Sequence, residues 1–178
     1  MTAKFKIRDA HPSEFEEIGR LVSTVYSQLP DFPKEEELPT YYEQLRNVGQ
    51  MTTNPAIHLF AAVDDDNTIL GVVVYFDDMQ FYGSKGVAST VKNAAGFRFL
   101  AVDPKARGLG VGKALSMYCI ELAKSTGQEK LIIHSTKAMA VAWEMYLKIG
   151  FKRADYLDFE GNSINVYGFE YVFDDQRA

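Results

Sequence analysis

The chain has 178 residues, 47% of them hydrophobic, so it can build one compact core but is short for two. Its net charge of −5 and pI of about 5.2 exclude a global positive field, and we expect no nucleic-acid partner. The single cysteine, Cys119, excludes an internal disulfide, and no apolar run is long enough for a membrane span. These features predict one domain over residues 1–178, a cytoplasmic location and no membrane partner.

The amino-terminal part of the chain predicts a strand followed by a helix. Residues 5–10 favour a short strand, and Ser13 with Glu16 three residues later forms a capping-box pattern at a helix start. Apolar residues then recur at helical spacing: Phe15, Ile18, Leu21, Val22 and Val25. This spacing indicates a helix with one buried face.

The next part predicts a second helix and a β-hairpin. Residues 27–50 hold three prolines and an acidic cluster, which favour a loop and a shorter helix from about Thr40. Residues 56–63 and 68–76 are rich in β-branched residues and flank the turn sequence DDDN, which is typical of a hairpin. Residues 77–96 have no clear period, as expected of a binding or disordered loop.

The second half predicts strands alternating with helices. Strands are expected over 97–103 and 130–135, and the final strands, 151–159 and 164–173, flank EGNS and are expected to pair. The first helix between them has a stripe of Val111, Leu115, Cys119 and Leu122, and the second has Ala138, Val141, Ala142, Met145 and Ile149. This order predicts an α/β fold of the α+β type, with a mixed, mostly antiparallel sheet of about seven strands and helices on both faces. The strand–helix–strand unit requires one parallel pair.

The sequence RGLGVGK places glycines at the start of the first of these helices. Gly108, Gly110 and Gly112 allow a tight turn and leave the amide groups of the helix start accessible. The helix dipole, Arg107 and Lys113 add positive potential, so the expected guest is a phosphate or pyrophosphate.

Spacing separates the competing phosphate motifs. A Walker A loop needs a glycine five residues before Gly112, where this chain has Arg107. A dinucleotide fingerprint beginning at Gly108 needs a glycine where Lys113 stands. The remaining pattern is R-x-x-G-x-G, formed by Arg107, Gly110 and Gly112 after a strand that ends in VDP.

This pattern resembles the acetyl-CoA signature [QR]-x-x-G-x-[GA] of the GNAT acetyltransferases. A second element of that family, A-x-x-x-Y-x-x-x-G-F, is matched by Ala142, Tyr146, Gly150 and Phe151. The opening IRDAHPSEFEEIGRLV and the element order also fit, so the resemblance covers nearly the whole chain.

The resemblance implies an acetyl-CoA-dependent N-acetyltransferase in which a primary amine of a small molecule or peptide attacks the thioester directly. The amide of Leu100 would polarise the thioester carbonyl, and Tyr146 would protonate the departing thiolate. The amides from Leu109 to Lys113 with Arg107 would hold the pyrophosphate of CoA. The implied cofactor-binding residues are Leu100, Ala101, Val102, Arg107, Gly108, Leu109, Gly110, Val111, Gly112, Lys113, Met139 and Tyr146.

The chain departs from the family pattern near the cofactor. Met139 stands where many members have an asparagine that contacts the cofactor, so this contact is either missing or supplied by Thr136 or Ser135. Cys119 lies on an apolar helix face and is expected to be buried and inert. Without an activated nucleophile, no acyl-enzyme is expected.

The chain also departs from the family pattern at the general base that deprotonates the amine. Gly96 and Phe97 occupy the position of the glutamate base of some relatives, so deprotonation needs a water chain or another acid such as Asp77 or Asp78. His134 is expected to be a hydrogen-bonded structural residue, and the histidines have no metal-ligand spacing.

Several alternatives remain open at this stage. One alternative is a degenerate relative that binds CoA or acyl-CoA as a sensor, without turnover. Another is a protein-interaction module that uses residues 31–50 and 77–96. Acidic residues at 31–37, 64–66 and 77–78 fit either cationic acceptors or a solvated surface. A homodimer through the last strands is compatible with the sequence. Four aromatic residues either line an acceptor pocket or pack in the core: Tyr75, Phe76, Phe81 and Tyr82.

Overall fold

The computed structural model describes residues 4–161 and 163–174, which form eight strands and four α-helices. The strands are β1 (Lys6–Asp9), β2 (Ile57–Val63), β3 (Ile69–Phe76), β4 (Ala94–Val102), β5 (Lys130–Ser135), β6 (Lys152–Arg153), β7 (Phe159–Gly161) and β8 (Ile164–Val172). The helices are α1 (Phe15–Ser27), α2 (Pro39–Arg46), α3 (Val111–Ser125) and α4 (Ala140–Ile149). None of these helices is long and apolar enough to cross a bilayer.

The sheet has the strand order β1-β2-β3-β4-β5-β8-β6, and β7 pairs with β8. Among the described residues every pair is antiparallel except β4–β5, which α3 connects. The predicted mixed, mostly antiparallel sheet is confirmed, with eight strands in place of about seven.

The additional strand lies in residues 151–159, which the sequence predicted as one strand. A 3₁₀ turn at Asp155–Leu157 divides this segment into β6 and β7. The Asp158 carboxylate accepts a hydrogen bond from the Gly168 amide and pairs with Arg153, which fixes the chain where it leaves the sheet. The single-strand prediction is therefore wrong.

Helices cover both faces of the sheet, as predicted. On the face that we call the α1–α2 face, Ile18 and Leu45 pack with strand residues such as Val74. On the opposite face, which we call the α3–α4 face, Leu115 and Cys119 pack in a separate hydrophobic cluster. Cys119 is buried, and burial raises the pKa of its thiol, which agrees with the predicted inert role.

Two details of the helices differ from prediction. The capping interaction belongs to the 3₁₀ turn before α1, where the Glu14 carboxylate accepts from the His11 amide at 2.7 Å; α1 itself has no side-chain cap among the described residues, and the predicted capping box of Ser13 and Glu16 is wrong. A 3₁₀ turn over residues 12–14 shifts this capping interaction towards the amino terminus.

The predicted face of α4 is correct for Ala142, Met145 and Ile149, which pack against the α3–α4 core, but wrong for Val141 and Ala138. Val141 is 87% exposed, whereas Tyr146 is the buried residue of the helix. Ala138 lies before α4 and packs against the α1–α2 face instead. The cause is a 3₁₀ turn over residues 137–139, which begins α4 later than the apolar spacing suggested.

A gap between β4 and β5 positions the candidate site. The two strands pair only from Ala94 with Lys130 to Gly96 with Ile132, and β5 then continues alongside β8. In β4 the register against β3 shifts by one residue, and Phe99 has a φ of +59°, which marks a β-bulge. Within residues 4–161 and 163–174, no strand therefore pairs with residues 97–102 on the β5 side.

Candidate functional site

The turn before α3 has an open, glycine-dependent backbone. Gly108 and Gly110 have φ values of +81° and +80°, a region that favours glycine, and Gly110 is the N-cap of α3. A Cβ atom added at either position would meet no atom within 4 Å. The outer side of the turn is therefore free for a ligand to approach the backbone.

The amides of this turn are largely unused. The first helical bond runs from the Ala114 amide to the Gly110 carbonyl at 2.9 Å, and the amides of residues 110–113 have no acceptor among the described residues. The Leu109 amide already donates to the Ala106 carbonyl at 3.4 Å. Four free donors at a helix start form a site suited to an anion.

Arg107 and Lys113 flank these donors with exposed side chains, and neither belongs to an ion pair within the described part of the chain. A Cβ added at Gly112 would lie 3.5 Å from Val102 and 3.8 Å from the Met145 sulfur. The first turn of α3 thus lies beside both β4 and α4. The start of α3 therefore lies next to Val102, at the end of the part of β4 that does not pair with β5.

The unpaired part of β4 contains the residues predicted to bind the pantetheine arm. Leu100 directly follows the bulge residue Phe99, and Ala101 is buried on the α1–α2 face. Leu100 and Val102 are half-buried on the α3–α4 face. Because no strand pairs with this segment on the β5 side, its backbone is available to a ligand in the gap.

Tyr146 lies on the α3–α4 face and is 5% exposed. Its ring packs edge-on against Phe97 and Phe151. Burial raises the pKa of Tyr146, and the Tyr82 phenol raises it further, so the hydroxyl keeps its proton.

On the α1–α2 face a cavity of about 270 Å³ opens beside the gap. Its walls are mainly aromatic and polar, and among its lining residues that the structure describes none is acidic. Of the four aromatic residues considered from the sequence, only Tyr82 lines this cavity. Tyr75 and Phe76 are fully buried in the core, and Phe81 is on the surface.

Arg98 lines the cavity and was missed by the sequence reasoning. Its Nη1 donates to the Tyr82 carbonyl at 2.8 Å, and its guanidinium carbon lies 4.5 Å from the ring centre of Phe99. The sequence does contain a signal for this residue, because Arg98 is the single charged residue in the otherwise apolar strand sequence FRFLAV. Tyr26 and Tyr41, from α1 and α2, were also missed because only the fold brings them to this wall.

His134 lies on the same wall and makes two hydrogen bonds. Nε2 lies 2.9 Å from the Leu157 carbonyl, so it carries the proton, and Nδ1 accepts from the Tyr82 hydroxyl at 3.1 Å. Burial lowers the pKa of His134, and the Arg98 charge lowers it further. The expected structural, hydrogen-bonded histidine is confirmed. Within the described residues no cluster could hold a metal ion.

The departures from the family pattern have clear positions. Met139 lines the cavity, and the Ser135 hydroxyl lies 3.8 Å from its sulfur. The Thr136 hydroxyl is buried and has no hydrogen-bond partner in the part of the chain that the structure describes. Since a buried hydroxyl without a partner is costly, Thr136 is the residue that best fits the missing polar contact.

The sequence candidates for a general base lie away from the cavity. Asp77 pairs with His58 at 3.0 Å, and the Asp78 carboxylate accepts from the Gln80 amide in a turn. Gly96 has no room for a longer side chain, because an added Cβ would lie 2.7 Å from the Met79 sulfur. None of the three supplies a base to the cavity.

Comparison with known proteins decides the family. A model of the acetyltransferase (GNAT) family matches residues 21–151. The chain belongs to the GNAT acetyltransferase family. As a GNAT protein it is an acyltransferase that uses acetyl-CoA, which confirms the resemblance, the enzyme class and the cofactor.

Several solved structures have the same fold. The PaiA N-acetyltransferase of Thermoplasma acidophilum, in complex with coenzyme A, is 17% identical with a TM-score of 0.73, covering 96% of this chain and 99% of its own. A GCN5-related N-acetyltransferase of Kribbella flavida is 21% identical with a TM-score of 0.69, covering 95% and 98%. The spermidine N-acetyltransferase of Vibrio cholerae, in complex with CoA and spermine, is 15% identical with a TM-score of 0.62, covering 94% and 95%. No significant match was found among curated protein sequences.

Proposed function

We propose that this GNAT protein transfers an acetyl group to a primary amine of a small molecule or peptide, by direct attack in a ternary complex. The observation that carries this proposal is the β4–β5 gap, which joins the open turn before α3 to the cavity on the α1–α2 face. A ligand held at the turn and extended along β4 reaches the cavity, where an acceptor can meet it.

The chain offers acetyl-CoA a fitting binding surface. The free amides of residues 110–113 and the Arg107 side chain bind the pyrophosphate, with Gly108 and Leu109 shaping the turn. The unpaired backbone from Leu100 to Val102 binds the pantetheine arm like an added strand. The Thr136 hydroxyl takes the polar contact that Met139 cannot make.

Two groups act on the reacting atoms. Bound acetyl-CoA supplies an acetyl group activated as a thioester. The Leu100 amide donates a hydrogen bond to the carbonyl oxygen, on which negative charge develops. Tyr146 donates its hydroxyl proton to the leaving sulfur and regains a proton from the one that the amine releases. Burial raises the pKa of Tyr146, so the phenol is protonated before the reaction and the transfer requires direct contact with the thiolate.

The amine loses its proton to water in the cavity. Among the described lining residues no carboxylate is present, and His134 uses both nitrogens in hydrogen bonds. Cys119 is buried in the α3–α4 core, which supports direct transfer without an acyl-enzyme. Peptide acceptors, a cytoplasmic location and a homodimer through the last strands stay predictions.

An acceptor screen tests the proposal. Free thiol is measured after mixing the protein with acetyl-CoA and polyamines, amino acids, aminoglycosides or peptides with free amino termini, while calorimetry measures CoA binding. We expect CoA binding and acceptor-dependent thiol release. CoA binding without release for any amine would favour the sensor alternative, and absence of binding would refute the cofactor site.

A further inference from the structure

Arg98 places a positive charge in the wall of the cavity without a carboxylate to balance it. The ion pairs among the described residues use other cations, and no described lining residue is acidic. A guanidinium that is partly withdrawn from water is costly unless an anion or polar groups compensate it. The folded chain supplies only part of that compensation.

The guanidinium is nevertheless held firmly in position. Nη1 donates to the Tyr82 carbonyl at 2.8 Å, and the group lies over the rings of Phe99 and Tyr82, at 4.5 and 5.4 Å from their centres. Gly83, with a φ of +78°, lets the loop pass close to it, since an added Cβ would lie 3.4 Å from Nη1. The Tyr82 carbonyl occupies one of the five N–H donors, and the Tyr41 side chain is a second hydrogen-bonding neighbour of Arg98.

The charge of Arg98 acts on groups around the whole cavity. Burial raises the pKa values of Tyr26, Tyr41 and Tyr82, and in each case the Arg98 charge opposes that rise. Burial lowers the pKa of His134, and the same charge lowers it further. These residues come from α1, α2, the loop before β4, and β5, so the positive potential extends across the cavity.

A positive cavity without acidic residues does not suit a polycationic amine. None of the acidic residues at 31–37, 64–66 and 77–78 is among the described residues that line the cavity, and Asp77 and Asp78 are used in local contacts. Two arginine donors match the two oxygens of a carboxylate, and the aromatic walls accommodate an apolar side chain.

We infer that the acceptor is a primary amine that carries a carboxylate, of the amino-acid class, and that Arg98 binds the carboxylate while the amine faces the β4–β5 gap. This inference rests on the proposed acetyltransferase function and adds its substrate class. A volume of about 270 Å³ fits a molecule of this size.

The test compares acceptors that differ only at the carboxylate. Thiol release from acetyl-CoA is measured with L-phenylalanine and L-methionine, with their α-carboxamides, and with the amines that lack the carboxyl group, together with spermidine. We expect the amino acids to have a kcat/KM at least about tenfold above that of their uncharged derivatives, as for a charge-assisted hydrogen-bonded pair. The same compounds are tested for thermal stabilisation of the CoA-saturated protein, which requires no turnover.

Variants assign the preference to Arg98. Arg98→Gln should raise the KM for the amino acids about tenfold or more and leave the KM for the carboxamides nearly unchanged, whereas Arg98→Lys should keep part of the preference. The melting temperature and CoA affinity of each variant verify folding.

The outcomes separate the two proposals. If the wild type uses spermidine or the carboxamides as well as the amino acids, or if Arg98→Gln affects all acceptors equally, the substrate class is wrong while the acetyltransferase function stands. If CoA binds but no amine is acetylated, the proposed function fails. In that case stabilisation by amino acids and not by carboxamides would still support the anion site, and its absence would overturn it.

Discussion

The Tyr82 hydroxyl donates a hydrogen bond to Nδ1 of His134 over 3.1 Å, and Nε2 of the same ring donates to the Leu157 carbonyl over 2.9 Å. The neutral ring thereby joins the loop before β4 to β5 and to the turn before β7. Protonation would place a hydrogen on Nδ1, which could then no longer accept from Tyr82. The cavity wall thus depends on a neutral histidine.

This dependence predicts a loss of stability in weakly acidic solution. Burial, followed by the Arg98 charge, lowers the pKa of His134 in the folded protein below its ordinary 6.5. The unfolded chain therefore binds more protons below pH 6.5, so stability present above that pH is lost as the pH falls through the folded pKa. We expect the free energy of unfolding, measured with urea, to fall by at most about 1.4 kcal/mol per pH unit between pH 7 and 5.

A histidine exchange isolates this contribution. The His134→Gln variant should be less stable than the wild type at pH 7, but its free energy of unfolding should fall less steeply towards pH 5. The His11→Asn variant changes an exposed position and should lose stability as steeply as the wild type. An equally steep decline in His134→Gln would assign the effect to other groups.

Tyr146→Phe tests the proposed acid. Removing the hydroxyl should lower kcat about 100-fold or more while CoA affinity changes little, because the ring packing against Phe97 and Phe151 is kept. Stopped-flow thiol release and calorimetry measure the two quantities. Tyr75→Phe, another buried phenol on the α3–α4 face, is the control and should retain activity. An equal loss of CoA binding in Tyr146→Phe would contradict a role in chemistry.

Gly112→Leu tests the path from the turn into the gap. The position has space for a Cβ, at 3.5 Å from Val102 and 3.8 Å from Met145, but a longer side chain would fill the space beside β4. We expect CoA binding to be lost with the melting temperature nearly retained, whereas Gly112→Ala should still bind. Unchanged affinity in Gly112→Leu would place the cofactor elsewhere.

Arg107→Ala tests the electrostatic part of the phosphate site. Calorimetry at low salt should show CoA affinity reduced about tenfold, with a smaller difference at high salt because the charges are screened. Lys105→Ala is the matched control, since this exposed cation lies on the same loop before the glycine turn. Equal effects of the two substitutions would indicate a general charge effect instead of a defined contact.

Thr136→Val separates binding from stability. The variant removes a buried hydroxyl without a partner, so the ligand-free protein should gain about 1 kcal/mol in the free energy of unfolding, while CoA affinity should fall. Denaturant unfolding and calorimetry measure these opposite changes. If Ser135→Ala weakens CoA binding and Thr136→Val does not, the polar contact belongs to Ser135.

Local patterns predicted much of this protein. The hairpin of β2 and β3, the parallel β4–β5 pair and the glycine turn follow from short-range features: β-branched runs, the length of the crossover and glycine spacing. Predictions failed where a short 3₁₀ turn moved the start of an element, as before α1 and α4, or divided it, as between β6 and β7. Such turns contain few residues and leave little periodic signal.

The sequence by itself determined the family, the sheet with helices on both faces, and the turn before α3, since these depend on residues close together in the chain. Only the tertiary structure brought Arg98, Tyr26, Tyr41, Tyr82 and His134 around one cavity and removed Asp77 and Asp78 from it. The physical reason is that these residues lie on separate elements. The potential and the space that they create together depend on the packing of those elements against the widened gap between β4 and β5.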